Sequence, residues 1–184
     1  MNGATIRNKN FMGHSLSFER ISTFVFDVDG VLTDGSVYLM PDFTQARRMN
    51  IKDGFALQLA VKKGYRVCVI SGGSSDEVKE RLRKLGITEV YMAVHNKLEL
   101  LETLLIEWDT PATDVLYMGD DLPDLYAMQA CGLASCPADA AAEIKAIAHY
   151  VAREKGGNGC AREIIEAVLT VRGHWGPEEN IASR

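Results

Sequence analysis

Residues 23–34, TFVFDVDGVLTD, decide the fold. An apolar, β-branched run opens at Thr23 and gives way around Asp27 and Asp29 to Gly30, as a buried strand gives onto a loop. Similar runs recur at Tyr65 to Ile70, Val90 to Val94, Val115 to Met118 and Gly132 to Ser135, each followed by a segment of helical periodicity. Leu98, Leu101, Leu105 and Trp108 share one helical face, as do Val78, Leu82 and Leu85, and as do Ala161, Ile164, Ile165, Val168 and Leu169. Asp53 and Ser74 or Ser75 are candidate N-caps, and Gly64, Gly86 and Gly132 stand where a helix end needs a left-handed backbone. Strand and helix in alternation predict an α/β fold, a Rossmann-like parallel sheet covered by helices. One segment departs from it. Ser36 to Met40 and Ala46 to Ile51 read as two strands around a Pro41-Asp42 turn, a β-hairpin projecting from the sheet.

The chain has 184 residues, 47% of them hydrophobic, which suits one domain over residues 1–184 with its core at about 20–172. A net charge of −5, spread without long like-charge runs, argues against a nucleic-acid partner. Residues 1 to 20 lack the apolar stretch of a secretory signal and no run reaches membrane-spanning length, so a cytoplasmic protein without a membrane partner is expected. The four cysteines have no zinc-binding spacing and read as reduced thiols.

Polar groups fall just after four of the apolar runs, at Asp27 and Asp29, at Ser71, at Asn96 with Lys97, and at Asp120, Asp121 and Asp124. Ligands of open α/β sheets bind at those strand ends. Taken singly, each pattern has an ordinary structural role: Asp-x-Asp-Gly makes turns, Ser-Gly-Gly bends a loop, a helix-start Lys is solvated and clustered Asp residues cap helices. Four in this order are hard to reconcile with turns and caps alone.

This order resembles the haloacid dehalogenase superfamily of phosphohydrolases over roughly residues 20–172. Its motifs match Asp27-Val28-Asp29-Gly30, Ser71, Lys97 and Gly119-Asp120-Asp121-Leu122-Pro123-Asp124. The resemblance implies Asp27 as nucleophile, with an aspartyl-phosphate intermediate, and Asp29 as general acid and base. It further implies Ser71, Gly72 and Lys97 as phosphate-binding and charge-balancing groups. Mg²⁺ would be held by Asp27, the Asp29 main-chain carbonyl and Asp120, with Asp121 and Asp124 behind them. The chemistry agrees, since phosphoryl transfer needs a nucleophile, a proton donor and positive charge against the phosphate oxygens.

Neither the stretch from Asp27 to Ser71 nor that from Ser71 to Lys97 has room for a cap domain. The segments Met49-Asn50-Ile51-Lys52-Asp53-Gly54 and Gly156-Gly157-Asn158-Gly159-Cys160-Ala161-Arg162-Glu163 extend the resemblance to the capless phosphatases of 3-deoxy-D-manno-octulosonate 8-phosphate, a step in lipopolysaccharide synthesis. That family implies a homotetramer assembled through the hairpin, with the Gly-rich tail reaching toward a neighbour's site. Arg162, Arg47 and Arg48 are then candidate contacts to the sugar phosphate, and of Arg47 and Arg48 at most one should face inward. Two departures, Gly73 where many members carry a basic residue and Asn96 where some carry Asp, leave a nine-carbon keto-deoxy sugar 9-phosphate as the alternative substrate. A phosphoacceptor signalling module uses similar residue types, but it would carry its phosphorylated Asp after the third strand, where this chain has Ala93-Val94. An inactive scaffold has no support, because every catalytic position is filled.

Overall fold

The computed structural model describes residues 17–178. Six parallel strands form one sheet in the order β5-β4-β1-β6-β7-β8: β1 Thr23–Phe26, β4 Arg66–Ile70, β5 Glu89–Tyr91, β6 Val115–Met118, β7 Leu133–Cys136 and β8 Tyr150–Val151. The remaining strands, β2 (Tyr38–Leu39) and β3 (Gln45–Ala46), pair antiparallel as a separate hairpin. Helices cover both sheet faces. Phe24, Phe26, Val67, Val69, Leu116 and Met118 pack with α1 (Ile51–Lys62), α2 (Asp76–Lys84) and α6 (Cys160–Val171). Val25, Cys68, Ile70, Val115 and Tyr117 pack with α3 (Lys97–Glu107), α4 (Leu125–Ala130) and α5 (Ala142–Ile147). Burial on both faces is why these strands read as unbroken apolar runs. The predicted faces of α2 and α6 are buried as expected, and all four cysteines are buried and free. The parallel sheet with its helical layers and projecting hairpin agrees with the sequence reading. Residues 1–16 and 179–184 of the expected single domain lie outside the described residues.

Several local expectations change. The second hairpin strand is shorter than Ala46 to Ile51, because Ile51 already opens α1 and Asn50 caps it, its side chain accepting from Lys52 N at 2.8 Å. The third core strand ends at Tyr91 instead of Val94. Ala93 and Val94 turn back, and their N–H groups donate to the carbonyls of Gly73 and Ser71 at 2.8 and 3.0 Å. Gly64 and Gly86 do take positive φ, whereas Gly132 does not and is needed for closeness to the Thr113 main chain. The short α5 and β8 carried too little periodicity to be anticipated.

Asp53 is a revealing correction. It does not cap its own helix. Its buried carboxylate instead accepts the Arg162 N–H at 2.7 Å, in the first turn of α6, so α1 caps α6. The Gly-rich segment before α6 is likewise built into its own chain. Gly157 N and Cys160 Sγ donate to Val31 O at 2.9 and 3.2 Å, and Asn50 Nδ2 donates to Gly157 O at 3.4 Å. Gly156 lies against the Gly30 carbonyl. The loop after β1, which bends left-handed at Gly30 with φ 81°, is thereby clamped from below.

Gly156→Ala would drive a methyl group into the Gly30 and Thr33 carbonyls. Such overpacking is expected to cost about 1–3 kcal/mol of folding free energy. Urea denaturation should show it, together with a loss of activity from displacement of the Asp27 loop. A variant as stable and active as the parent would show that the clamp does not set that loop.

Candidate functional site

The sheet reverses strand order beside β1, because the chain runs from β1 out through β4 to β5 and returns to β6 on the other side of β1. A crevice opens at the carboxyl ends there. Asp27 directly follows β1, Ser71 directly follows β4, and Asp120 lies two residues past β6. Lys97 is the first residue of α3, whose N-cap Asn96 accepts from Glu99 N at 3.2 Å. Asp27, Asp29, Ser71, Gly72, Lys97, Asp120, Asp121 and Asp124 all border one cleft of about 270 Å³.

Its floor is charged and buried. Lys97 Nζ donates to Asp124 Oδ1 at 2.7 Å and stands 3.0 Å from Asp27 Oδ1. Asp27 Oδ1 also accepts from Val28 N at 2.7 Å, while Asp124 Oδ1 accepts from the Tyr117 hydroxyl at 2.9 Å. Asp27, Asp120 and Asp124 each offer a carboxylate oxygen, all lying within 4.8 Å of one another. One ammonium faces three carboxylates. Burial, then the charge of Asp124, pushes the Asp27 carboxyl up to about 7 against the opposing pull of Lys97. Burial, then Asp27 and Asp124, pushes Asp120 up to about 7 as well. For Lys97, burial alone would lower the pKa, but Asp124 and Asp27 outweigh it and hold the ammonium above its ordinary value.

Asp121, expected beside Asp124, lies apart from that group: it is exposed and its side chain accepts from Leu122 N at 2.8 Å. Asp124 is fully inside and its Oδ2 accepts from Asp120 N at 3.3 Å. Asp29 stands at the cleft mouth, where Arg47 Nε and Nη2 donate to its two carboxylate oxygens at 2.7 and 3.3 Å. Ser71 Oγ accepts from Gly73 N at 3.2 Å, which folds the Ser71-Gly72-Gly73 loop over the cleft.

The arginines divide. Arg47 turns inward and is nearly enclosed, whereas Arg48 turns out to Asp34 and Asn158, at 2.9 and 3.0 Å. Arg162 is outside the cleft of its own chain, with its guanidinium over the rings of Trp175 and Phe55 at 5.0 and 5.7 Å. Sequence reading missed Tyr117 and Thr33. Tyr117 was hidden in an apolar strand, and Thr33 Oγ1 takes the Gly30 and Gly35 N–H groups, both at 3.3 Å, to shape the loop.

Comparison with known proteins gives the family. A family model of haloacid dehalogenase-like hydrolases matches residues 86–164. The 3-deoxy-D-manno-octulosonate 8-phosphate phosphatase of Escherichia coli K12 is 35% identical over 155 residues, covering 84% of this chain and 82% of that one. The solved enzyme of the same name from Yersinia pestis superposes with a TM-score of 0.83 at 32% identity, covering 85% of each chain. That from Moraxella catarrhalis, in complex with magnesium, phosphate and KDO, gives 0.81 at 31% identity, covering 84% of this chain and 88% of its own.

The raised carboxyls make stability depend on pH and metal. Asp27 and Asp120 hold their protons up to about pH 7 when folded but only to about 3.8 when unfolded, so their contribution is full below about pH 4 and is lost as pH rises through 7. Thermal melting in EDTA should therefore give a lower Tm at about pH 8 than at about pH 6. Mg²⁺ should raise Tm more at the higher pH, where no proton must be displaced. Equal Mg²⁺ shifts at both pH values would contradict the carboxylate cluster as the cation site.

Proposed function

The chain belongs to the haloacid dehalogenase-like hydrolases, in the family of 3-deoxy-D-manno-octulosonate 8-phosphate phosphatases, and we propose that it hydrolyses that sugar phosphate to 3-deoxy-D-manno-octulosonate and phosphate. The observation that carries this is the cluster of buried Asp27 and Asp124 and half-buried Asp120 around Lys97 at the strand ends.

A divalent cation suits these residues. Their donors are all hard oxygens, and three carboxylates face one ammonium, with Asp27 and Asp120 raised by burial and then by their neighbouring carboxylates. Mg²⁺ would be held by Asp27, Asp120 and the Asp29 main-chain carbonyl, with Asp124 inside the same cluster and Asp121 farther out. When bound, it supplies the positive charge that allows a phosphate dianion to approach carboxylates.

The residues divide the chemistry. Asp27 attacks phosphorus, and the bond from phosphorus to the sugar oxygen breaks as the aspartyl phosphate forms. Asp29 gives its proton to the departing alkoxide. It then takes a proton from the water that attacks the aspartyl phosphate, which frees inorganic phosphate and restores the Asp27 carboxylate. Ser71 and the Gly72 and Gly73 amides border the same cleft and are suited to the non-transferring oxygens, while Lys97 offsets charge on Asp27. Arg47 steers the Asp29 carboxylate through its paired contacts.

The active assembly is a cytoplasmic homotetramer. The hairpin supports this, since Leu39 and Phe43 are 78% and 97% exposed, apolar surface that a second subunit would cover. Among the described residues no helix is long and apolar enough to cross a membrane. Arg162, stacked on its own Trp175, would meet substrate only in a neighbouring subunit.

Asp27→Asn should abolish turnover in a phosphate-release assay with Mg²⁺ and the sugar phosphate, and exhaustive EDTA should silence the parent enzyme until Mg²⁺ is restored. Turnover near the parent level in the variant would remove Asp27 from the mechanism. Asp29→Asn keeps the main-chain carbonyl and should bind Mg²⁺ normally while losing roughly 10²-fold or more in kcat. A normal kcat with collapsed metal affinity would reverse the role given to Asp29.

A further inference from the structure

Strand β6 is apolar at Val115, Leu116 and Met118, and its remaining residue is a tyrosine. Tyr117 is fully buried in the layer that packs with α3 and α4, where a phenylalanine would occupy the same apolar space. A buried hydroxyl costs free energy unless it finds a partner. It has one. The hydroxyl donates to Asp124 Oδ1 at 2.9 Å, the same oxygen that receives Lys97 Nζ at 2.7 Å.

Asp124 is thereby held by three donors. Oδ1 carries two of them, and Oδ2 accepts Asp120 N at 3.3 Å. A Cβ on Gly119 would overlap the Asp124 side chain, so the main chain before Asp120 closes the remaining space around it. An ionised carboxylate offers about two lone pairs on each oxygen, and both on Oδ1 are taken. This matters because Asp124 belongs to the same acidic group as Asp27 and Asp120, with one carboxylate oxygen from each lying within 4.8 Å of the others. Distance alone would admit Asp124 as a third carboxylate ligand. Lys97 is contested in the same way, since its Nζ also stands 3.0 Å from Asp27 Oδ1. Short of one donor, Asp124 Oδ1 would compete with Asp27 for the ammonium and with Asp120 for a cation.

We propose that Tyr117 is a positioning residue for phosphoryl transfer: its hydroxyl commits Asp124 to Lys97, which leaves the cation to Asp27 and Asp120 and keeps the ammonium facing the nucleophile. This role rests on the phosphatase reading above. Tyr117 does not border the cleft, so it acts through Asp124 and not on substrate. A neutral donor suits the task. It fills acceptor capacity on Oδ1 without adding charge, whereas a second ammonium would offset the carboxylate charge that a hard cation requires. Tyr117 comes from β6, Lys97 from the start of α3 and Asp124 from the helical turn Leu122–Asp124. The three meet only when sheet and helices are packed, so the arrangement is fixed before substrate arrives.

The test is Tyr117→Phe, which keeps the ring in the core and removes only the hydroxyl. With saturating Mg²⁺, kcat on the sugar phosphate and on 4-nitrophenyl phosphate should fall about 10- to 100-fold with little change in KM, the scale of a hydrogen bond to a charged group. Mg²⁺ binding, measured by calorimetry on the full chain without substrate, should be as tight as in the parent or tighter, because Asp124 Oδ1 becomes free to ligate. A residue that only filled the core would lower Tm and leave kcat per folded enzyme unchanged. In an Asp124→Asn background, Tyr117→Phe should lower kcat by less than about 2-fold more, since its route is already cut. A kcat near the parent's, Mg²⁺ affinity that falls together with kcat, or losses that multiply in the double variant would overturn the positioning role. A parent enzyme that releases phosphate from neither substrate would overturn the proposed reaction, and calorimetry would still decide Tyr117: weaker Mg²⁺ binding in the variant rejects its role, and equal or tighter binding keeps it.

Discussion

Three carboxylates forced together around one ammonium are the constraint on which the rest of this structure depends. Asp27, Asp120 and Asp124 repel one another, and Lys97 relieves two of them directly, at 3.0 Å from Asp27 and 2.7 Å from Asp124. In water such a cluster would spread apart. Here it is held because each member leaves the end of a buried strand or the start of a helix, and the protein interior fixes those positions. Burial first, and then the neighbouring carboxylates, raise the carboxyl groups of Asp27 and Asp120, so the cluster carries charge at a cost.

Holding the cluster requires a rigid loop after β1, and the rigidity comes from far along the chain. Val31 O receives Gly157 N–H and the Cys160 thiol, and Gly156 fits against Gly30 because it has no side chain. Asp53 in turn caps α6 through Arg162 N–H, which ties the Gly-rich segment to α1. Its carboxyl is pushed up to about 6 by burial, against the pull of that backbone hydrogen bond. Two motifs that look independent in sequence are therefore the two halves of one clamp.

The hairpin connects this frame to the cavity beside the cleft. Arg47 enters from beyond β3, reaches Asp29 and presents its remaining nitrogen to the neighbouring groove. Arg48, one residue on, faces Asp34 and Asn158 on the outer side. A capless site thus gains a wall from two short strands, whose Leu39 side chain, with Phe43 in the turn, stays exposed.

Much of the molecule was determined by sequence alone. Apolar runs buried on both faces specify a parallel sheet, and polar residues placed after those runs specify which end of it carries the chemistry, since both patterns are local consequences of strand geometry. Asp27, Asp29, Ser71, Lys97 and Asp120 were legible for that reason. Tertiary structure alone decided the rest. The depth of Asp124 against Tyr117, the exchange by which Asp53 caps α6 instead of α1 and the inward turn of Arg47 all depend on contacts between residues distant in sequence. Local periodicity carries no record of such pairs, because a side chain's partner is set by how whole elements stack and not by its neighbours in the chain.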